Sequence, residues 1–273
     1  MNGVVACETL YPELPHIDPD AAVTYVPQWY HEYPIHTPES ETARELLQER
    51  IDELEARGVE QVIVIYHDPV ALTGLTTDSV PLHVYRGRDC IELHLREEPS
   101  APGGERKQEG TYYLTRGWID AAVDSYKVYN AYAGTLDGLI ARFEDAKREH
   151  PDMRVSWPEA EKIQQAAARS ETMSADPAKL LRKVIGGYRH VVLVDTGRLT
   201  PFHHEYAESF REFLATIGPE AEPRDVSLTV EEGTAEHLEA ILRAPTAVPK
   251  VVTVEPGVPV PEEAGFRTGP QHP

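Results

Sequence analysis

Short apolar runs that end in polar or reactive side chains constrain the fold of this chain more than any other feature. The composition of a buried strand is found in three of them: GVVAC at 3–7, QVIVIY at 61–66 and HVVLV at 190–194. A helix signal separates the first two, with Pro38 early in the first turn and Gly58 as the stop. Strands that alternate with helices favour a mainly parallel sheet flanked by helices, so we predict a Rossmann-like α/β fold.

The same alternation returns in the second half of the chain, which predicts two α/β sections. We assign residues 1–110 to an N-terminal α/β section. Residues 111–257 are expected to form a helical segment and a second α/β section packed with the first, including a last short strand at 250–254. The proline-rich end, residues 258–273, is expected to be a flexible tail.

The balance of acidic and basic residues limits the classes of binding partner that we expect. The chain has 46 acidic against 26 basic residues and a formal net charge of −20, which argues against general nucleic-acid binding because phosphates would be repelled. Arginine outnumbers lysine, a balance that fits a protein of a salt-adapted organism, although an ordinary acidic cytosolic protein has a similar surface.

The location of the protein is predicted from what the sequence lacks. No apolar run reaches the roughly 20 residues that span a bilayer, so no membrane association is expected. The N-terminus does not have the pattern of a signal peptide, which predicts a cytoplasmic protein. Its 2 cysteines are then better explained as reduced thiols than as a disulfide framework.

Cysteine and histidine side chains follow predicted strands at three places. Cys7 ends the first strand, His67 follows the run at 61–66, and Cys90 lies shortly after a fourth predicted strand at 81–85. Because the carboxyl ends of parallel strands meet at one edge of a sheet, these three side chains are candidate metal ligands. Thiolate and imidazole are zinc ligands, and three of them leave a fourth position for water or a substrate thiolate. The alternative is two small core cysteines and a capping histidine.

Three further residues form a second tier of candidates. Asp89 precedes Cys90 and is suited to orient a ligand or a bound water. His94 lies four residues after Cys90, on the same face of a helix, or else it is a solvated histidine on an amphipathic element. His36 lies between a strand and a helix N-terminus, where ligands and anions often bind, or it hydrogen-bonds the turn.

The order of several short motifs resembles one family, an uncharacterised group of archaeal and bacterial proteins called domain of unknown function 1638. The similarity covers most of residues 3–257. Its most specific stretches are GTYYLT at 110–115 with Gly117-Trp118, and Asp195-Thr196-Gly197. Other matching stretches are Cys7 with Leu10 and Glu13-Leu14, His36-Thr37-Pro38, Tyr66, Gly74-Leu75, Arg88-Asp89-Cys90-Ile91 and Val254-Glu255-Pro256-Gly257.

The resemblance implies a role in metal binding or methyl transfer, because members of this family often lie beside corrinoid-dependent methyltransferases of one-carbon metabolism. It also implies a small-molecule substrate or such a methyltransferase as partner. The family usually has a cysteine after the third strand where this chain has His67, so either His67 replaces that ligand or the site has weakened. The loss argues against an iron–sulfur cluster, which needs more thiolates.

Two hypotheses follow. The first is a metal-binding protein, possibly a zinc-dependent enzyme, that acts in or beside corrinoid-dependent methyl transfer. The second is a non-catalytic accessory protein that carries a corrinoid or assists a methyltransferase.

The candidate cofactor-binding residues lie in the second section. Tyr112, Tyr113 and Trp118 form an aromatic segment near glycines, which is suited to a methylated amine or a tetrapyrrole, although aromatic residues at such positions are more often core. Asp195 begins an Asp-Thr-Gly motif, but a single copy in an α/β chain does not support an aspartic protease. We therefore interpret Asp195 as a residue of a ligand pocket or of a turn.

Overall fold

The structure, a computed structural model, describes residues 1–28, 40–87, 89–96, 109–159, 163, 181–182, 185–217 and 224–262. These residues form two compact units. The first contains the described residues up to 94 and those from 234 onward, and the second contains those between 95 and 233.

The strands and helices alternate along much of the chain. The strands are β1 (Asn2–Cys7), β2 (Ala22–Val26), β3 (Gln61–Ile65), β4 (Leu82–Tyr85), β5 (Thr111–Leu114), β6 (His190–Asp195), β7 (Ser227–Glu232) and β8 (Val251–Val254). The helices are α1 (Leu14–Ile17), α2 (Ser40–Ala56), α3 (Pro69–Leu72), α4 (Arg116–Ala121), α5 (Ser125–Ala133), α6 (Leu136–Glu149), α7 (Pro201–Thr216) and α8 (Glu236–Arg243).

The sheet of the first unit has the strand order β2-β1-β3-β4-β8. The pairs β1–β2, β1–β3 and β3–β4 are parallel, and β8 is antiparallel to β4. The chain moves from β1 to a neighbour on one side and then to β3 on the other, so the strand order reverses between β1 and β3. In open α/β sheets, ligands bind outside the carboxyl ends of the strands at such a reversal.

Strand β8 corrects one expectation. From the sequence, residues 250–254 belong to the second section, but they pair with β4 in the first sheet, with Val254 opposite Leu82. Helix α8 precedes this strand and buries Leu238 and Ile241 in the core of the first unit. The local pattern predicts a strand here, but it carries no information about which sheet the strand joins.

Helix α2 shows how the sequence builds the first unit. It buries Ala43, Leu47, Ile51 and Leu54, whose spacing places them on one face of a helix. Burial of a leucine or isoleucine side chain contributes about 1.5–3 kcal/mol relative to exposure. In β3, Val62 and the three residues after it are all fully buried, which explains the continuous apolar run of a strand covered on both faces.

The second unit contains a parallel sheet of order β5-β6-β7. Helix α7 packs on β6 and β7, and it buries Phe202, Tyr206 and Phe210. The prediction of an α/β fold with parallel-dominated sheets in two sections is confirmed. Within the part of the chain that the structure describes, no helix has the length and apolar character to cross a membrane.

Candidate functional site

Two buried thiols meet at the carboxyl edge of the first sheet. Cys7 is the last residue of β1 and is fully buried, and Cys90 follows β4 with 7% of its surface exposed. The two thiols are in hydrogen-bond contact with each other. The Thr9 hydroxyl also donates a hydrogen bond to Cys7 Sγ at 3.2 Å. The fold therefore brings together the two cysteines that lie 83 positions apart in the sequence.

The environment of Cys90 keeps its thiol protonated. Its hydrogen bond with Cys7 and its burial raise the pKa of the Cys90 thiol well above its ordinary value, and the negative charge of Asp89 acts in the same direction. A hydrogen bond with Thr9 lowers this pKa but does not outweigh the other causes. A thiol in this state is a poor nucleophile, because the thiolate is the reactive form. A metal ion that displaces the proton would make it a ligand, so the pair is better suited to ligation than to direct attack.

The third predicted ligand lies elsewhere in the same unit. His67 follows β3, and its Nδ1 donates a hydrogen bond of 2.8 Å to the carbonyl oxygen of Gly87. Because a carbonyl can only accept, Nδ1 carries the proton, and Nε2 is the ring nitrogen that could bind a metal. Across the described ranges, no three or more His, Cys, Asp and Glu side chains form a group that could hold a metal ion. The structure thus brings Cys7 and Cys90 together without completing the predicted set of three.

The second-tier residues have different surroundings. Asp89 Oδ1 accepts a hydrogen bond from the Glu92 backbone amide at 3.1 Å and so caps the short turn after Cys90. His94 is 1% exposed, and its Nδ1 has no hydrogen-bond partner among the described residues. It is a buried histidine and not the solvated one that the sequence left open. His36 lies outside the described residues.

Sequence reasoning missed several buried polar residues near the ends of β1 and β2. Glu8, Thr9, Glu13 and Gln28 are each at most 3% exposed. Acidic and amide side chains rarely lie so deep without a specific role. The available signal was the acidic residue that directly follows Cys7, which would be unusual if this segment only covered a core.

The aromatic segment packs within the second unit. The ring of Tyr112 lies 4.6 Å from that of Phe210 and 5.2 Å from that of Tyr188, measured between centroids. Tyr113 is also buried and Trp118 is half-buried. The assignment of these residues to cofactor binding stays a prediction.

Asp195 stabilises a turn. Its Oδ1 accepts a hydrogen bond of 2.7 Å from the backbone amide of Gly197, whose φ of +81° suits glycine. The predicted turn role has this direct support, while the predicted pocket role stays a prediction.

A pocket of about 310 Å³ opens at the carboxyl ends of β3 and β4. It contains two arginines, one histidine and a short apolar wall. Its lining includes Arg44, His67, Asp68, Val70, Arg86 and Glu262. Sequence reasoning missed Arg44, because nothing in its local pattern separates it from other polar residues of α2.

The second unit contains a buried lysine that the sequence did not single out. Lys127 is fully buried, and its Nζ donates hydrogen bonds to the carbonyl oxygens of Ile119 at 2.6 Å and Ala122 at 2.7 Å. Asp124 Oδ2 lies 3.6 Å away. Nζ also lies 5.1–5.3 Å from the centroids of three aromatic rings, those of Phe143, Trp157 and Tyr206. Burial lowers the pKa of Lys127, whereas the charges of Asp124 and Asp120 raise it.

Comparisons with known proteins give one match. A family model described as Protein of unknown function (DUF1638) matches residues 32–234. The matched range includes His67 and Cys90 but begins after Cys7. A search of curated proteins and a search of solved structures found no match.

Proposed function

This chain belongs to the DUF1638 family, and from that premise we propose that it is a cytoplasmic metal-binding protein that acts in or beside corrinoid-dependent methyl transfer. Zinc is the proposed metal, and Cys7 and Cys90 are its proposed protein ligands. The proposal rests on one observation, the contact between two buried thiols at the reversal of strand order in the first sheet.

The chemistry of the pair supports a thiophilic ion. Two sulfurs bound to one tetrahedral zinc, with Zn–S distances of about 2.3 Å, lie roughly 3.8 Å apart. The two thiols are in hydrogen-bond contact, so the fold already places both sulfurs on the same side of the candidate site. Soft thiolates favour zinc and copper(I) over magnesium or calcium.

The remaining metal positions would be filled from outside the pair. A bound zinc ion lowers the pKa of water or of a substrate thiol, which supplies a nucleophile at neutral pH. The described residues do not add a third ligand to the two cysteines. Two positions of a tetrahedral zinc ion would then be left for water and a substrate thiolate, an arrangement that agrees with a role in methyl transfer.

Metal binding can be tested on the purified protein. We expect stoichiometric zinc by elemental analysis, and a Cys90→Ala variant should lose more than about 100-fold in zinc affinity against a competing chelator. Thr9→Val is the matched control, because it removes the hydrogen bond to Cys7 Sγ but keeps both thiols. Its zinc affinity should stay within about tenfold of the wild-type value.

Two results would overturn the proposal. One is a wild-type protein that takes up no zinc, and the other is a Cys90→Ala variant that binds zinc as tightly as the wild type. His67→Gln tests the third predicted ligand separately, and an unchanged affinity there assigns the site to the two cysteines alone.

The accessory-protein hypothesis remains the alternative. Its expected feature is an open aromatic cleft, whereas Tyr112 and Tyr113 are buried. A tetrapyrrole absorbance band in the purified protein would favour this alternative. A colourless protein with stoichiometric zinc would favour metal binding.

A further inference from the structure

We propose that the pocket at the carboxyl ends of β3 and β4 binds a small organic anion, a carboxylate or a phosphate ester with a short apolar part. Arg44 and Arg86 are the residues assigned to the anionic group. The inference does not depend on metal binding by the cysteines, because the residues assigned to the anion, Arg44 and Arg86, are not proposed metal ligands.

The position of the pocket is the first argument. His67 and Asp68 follow β3, and Arg86 and Gly87 follow β4, so the pocket lies at the edge where open α/β sheets bind ligands. Its volume of about 310 Å³ is at the lower end of the range for small-molecule sites. A small metabolite fits this volume, whereas a dinucleotide or a tetrapyrrole does not.

The charges of the pocket favour an anion. Arg44 comes from α2 and Arg86 from the end of β4, so two guanidinium groups carried by separate elements line one cavity. Guanidinium groups bind carboxylates and phosphates through paired hydrogen bonds. A nitrogen of the Arg86 guanidinium donates to the carbonyl oxygen of Pro261, which holds this side chain in place.

Two carboxylates in the pocket oppose this charge, and one of them already accepts hydrogen bonds from the backbone. Asp68 Oδ1 accepts hydrogen bonds from the backbone amides of Val70 at 2.9 Å and Ala71 at 3.1 Å, and the residue is buried. These hydrogen bonds engage Oδ1 of Asp68 in the cap of α3. Glu262 is exposed, and it is the carboxylate that competes with a bound anion.

The apolar wall indicates the rest of the ligand. Val70 lines the pocket, and 49% of its surface is exposed, which makes it one of the few large exposed apolar residues of the described chain. Pro69 and Leu72 lie on the same wall. A ligand with a short hydrocarbon part would cover Val70 while its anionic group meets the arginines.

The test is calorimetric titration of the full chain at constant ionic strength with inorganic phosphate, butyrate and n-butylammonium chloride. Butyrate and butylammonium have the same apolar part but opposite charges. We expect binding of at least one anion and none of butylammonium. Binding of phosphate alone assigns the site to phosphate esters, and binding of butyrate alone assigns it to carboxylates.

Variants identify the residues. Arg44→Gln and Arg86→Gln should each weaken anion binding at least tenfold. Arg50→Gln is the matched control, because it changes an arginine of the same helix that pairs with Glu53 outside the pocket, and it should bind as the wild type does. Glu262→Gln removes the competing carboxylate and should bind the anion several-fold more tightly, which a misfolded variant cannot do.

The proposal is overturned if neither anion binds, or if butylammonium binds as well as butyrate. It is also overturned if both Arg44→Gln and Arg86→Gln bind with wild-type affinity, or if Glu262→Gln binds no more tightly than the wild type.

Discussion

Cys90 keeps its proton in the folded protein at a pH where an exposed thiol ionises, because its contact with Cys7 and its burial raise the pKa of the thiol. The same thiol in the unfolded chain has its ordinary pKa, near 8.5. Below this pH, the protonated Cys90 thiol contributes its full stabilisation of the folded protein. As the pH rises above it, this stabilisation decreases until the pH reaches the raised pKa of Cys90 in the folded protein. The loss amounts to about 1.4 kcal/mol per pH unit for one proton.

This linkage is checked by urea unfolding of the metal-free protein, kept in a chelator, between about pH 8 and about pH 10. We expect the free energy of unfolding of the wild type to fall more steeply with pH than that of Cys90→Ala, which retains every other titrating side chain. Equal slopes in the two proteins would show that the folded thiol ionises normally.

Lys127 is a buried residue whose ammonium group is surrounded by carbonyl oxygens, a carboxylate and aromatic rings. Replacement by methionine would leave the carbonyl oxygens of Ile119 and Ala122 and the carboxylate of Asp124 without their cation. Removal of one partner from such a buried pair costs about 3–5 kcal/mol. We expect a loss of that size for Lys127→Met in urea unfolding.

The control for this prediction is Lys147→Met, a change of an exposed lysine in α6. Surface substitutions of this kind alter stability by no more than about 0.5 kcal/mol. If the two variants are equally stable, the aromatic and carbonyl surroundings of Lys127 contribute nothing specific.

At the scale of elements, the N-terminus of α3 forms part of the pocket wall. Asp68 caps this helix, and its carboxylate accepts from two backbone amides. Asp68→Ala should lower the free energy of unfolding by about 1 kcal/mol, whereas Asp68→Asn should lose much less because asparagine caps equally well. Urea midpoints distinguish the two, and an equal loss in both variants would assign the effect to the charge and not to the cap.

The sequence predicts elements that depend on local pattern and misses features that depend on tertiary contacts. Helix α2 ends at Ala56, two residues before the predicted stop at Gly58, and β3 covers residues 61–65 of the apolar run at 61–66. The meeting of Cys7 and Cys90 follows from strand-end convergence alone. The side chain of His67 was expected to join them, but its ring hydrogen-bonds the carbonyl oxygen of Gly87. The spacing of residues in the sequence does not predict this contact.

Buried charge was the least predictable feature. Lysine is usually a surface residue, so nothing in the sequence marks Lys127, whose burial depends on rings supplied by α6 and α7. Likewise, the partner of β8 is decided by the return of the chain through α8 and not by the composition of the strand.

For the whole molecule, the net charge of −20 predicts a dependence of stability on salt. Repulsion between like charges lowers the stability of a compact acidic protein. Salt screens this repulsion, and the screening length falls from about 10 Å at 0.1 M to about 3 Å at 1 M salt. We expect the urea midpoint to rise over this range in KCl. NaCl should give the same shift because screening depends on ionic strength, and a falling midpoint would contradict the prediction.

The return of the chain to the first sheet also sets the order in which the protein can be completed during synthesis. Strand β4 lacks its neighbour β8 until late in synthesis, because β8 is synthesised only after the described residues of the second unit. The second unit has its three strands by residue 232, before that happens. Until then the edge of β4 is open to pairing with another chain. The unit that begins first is therefore the last to be finished.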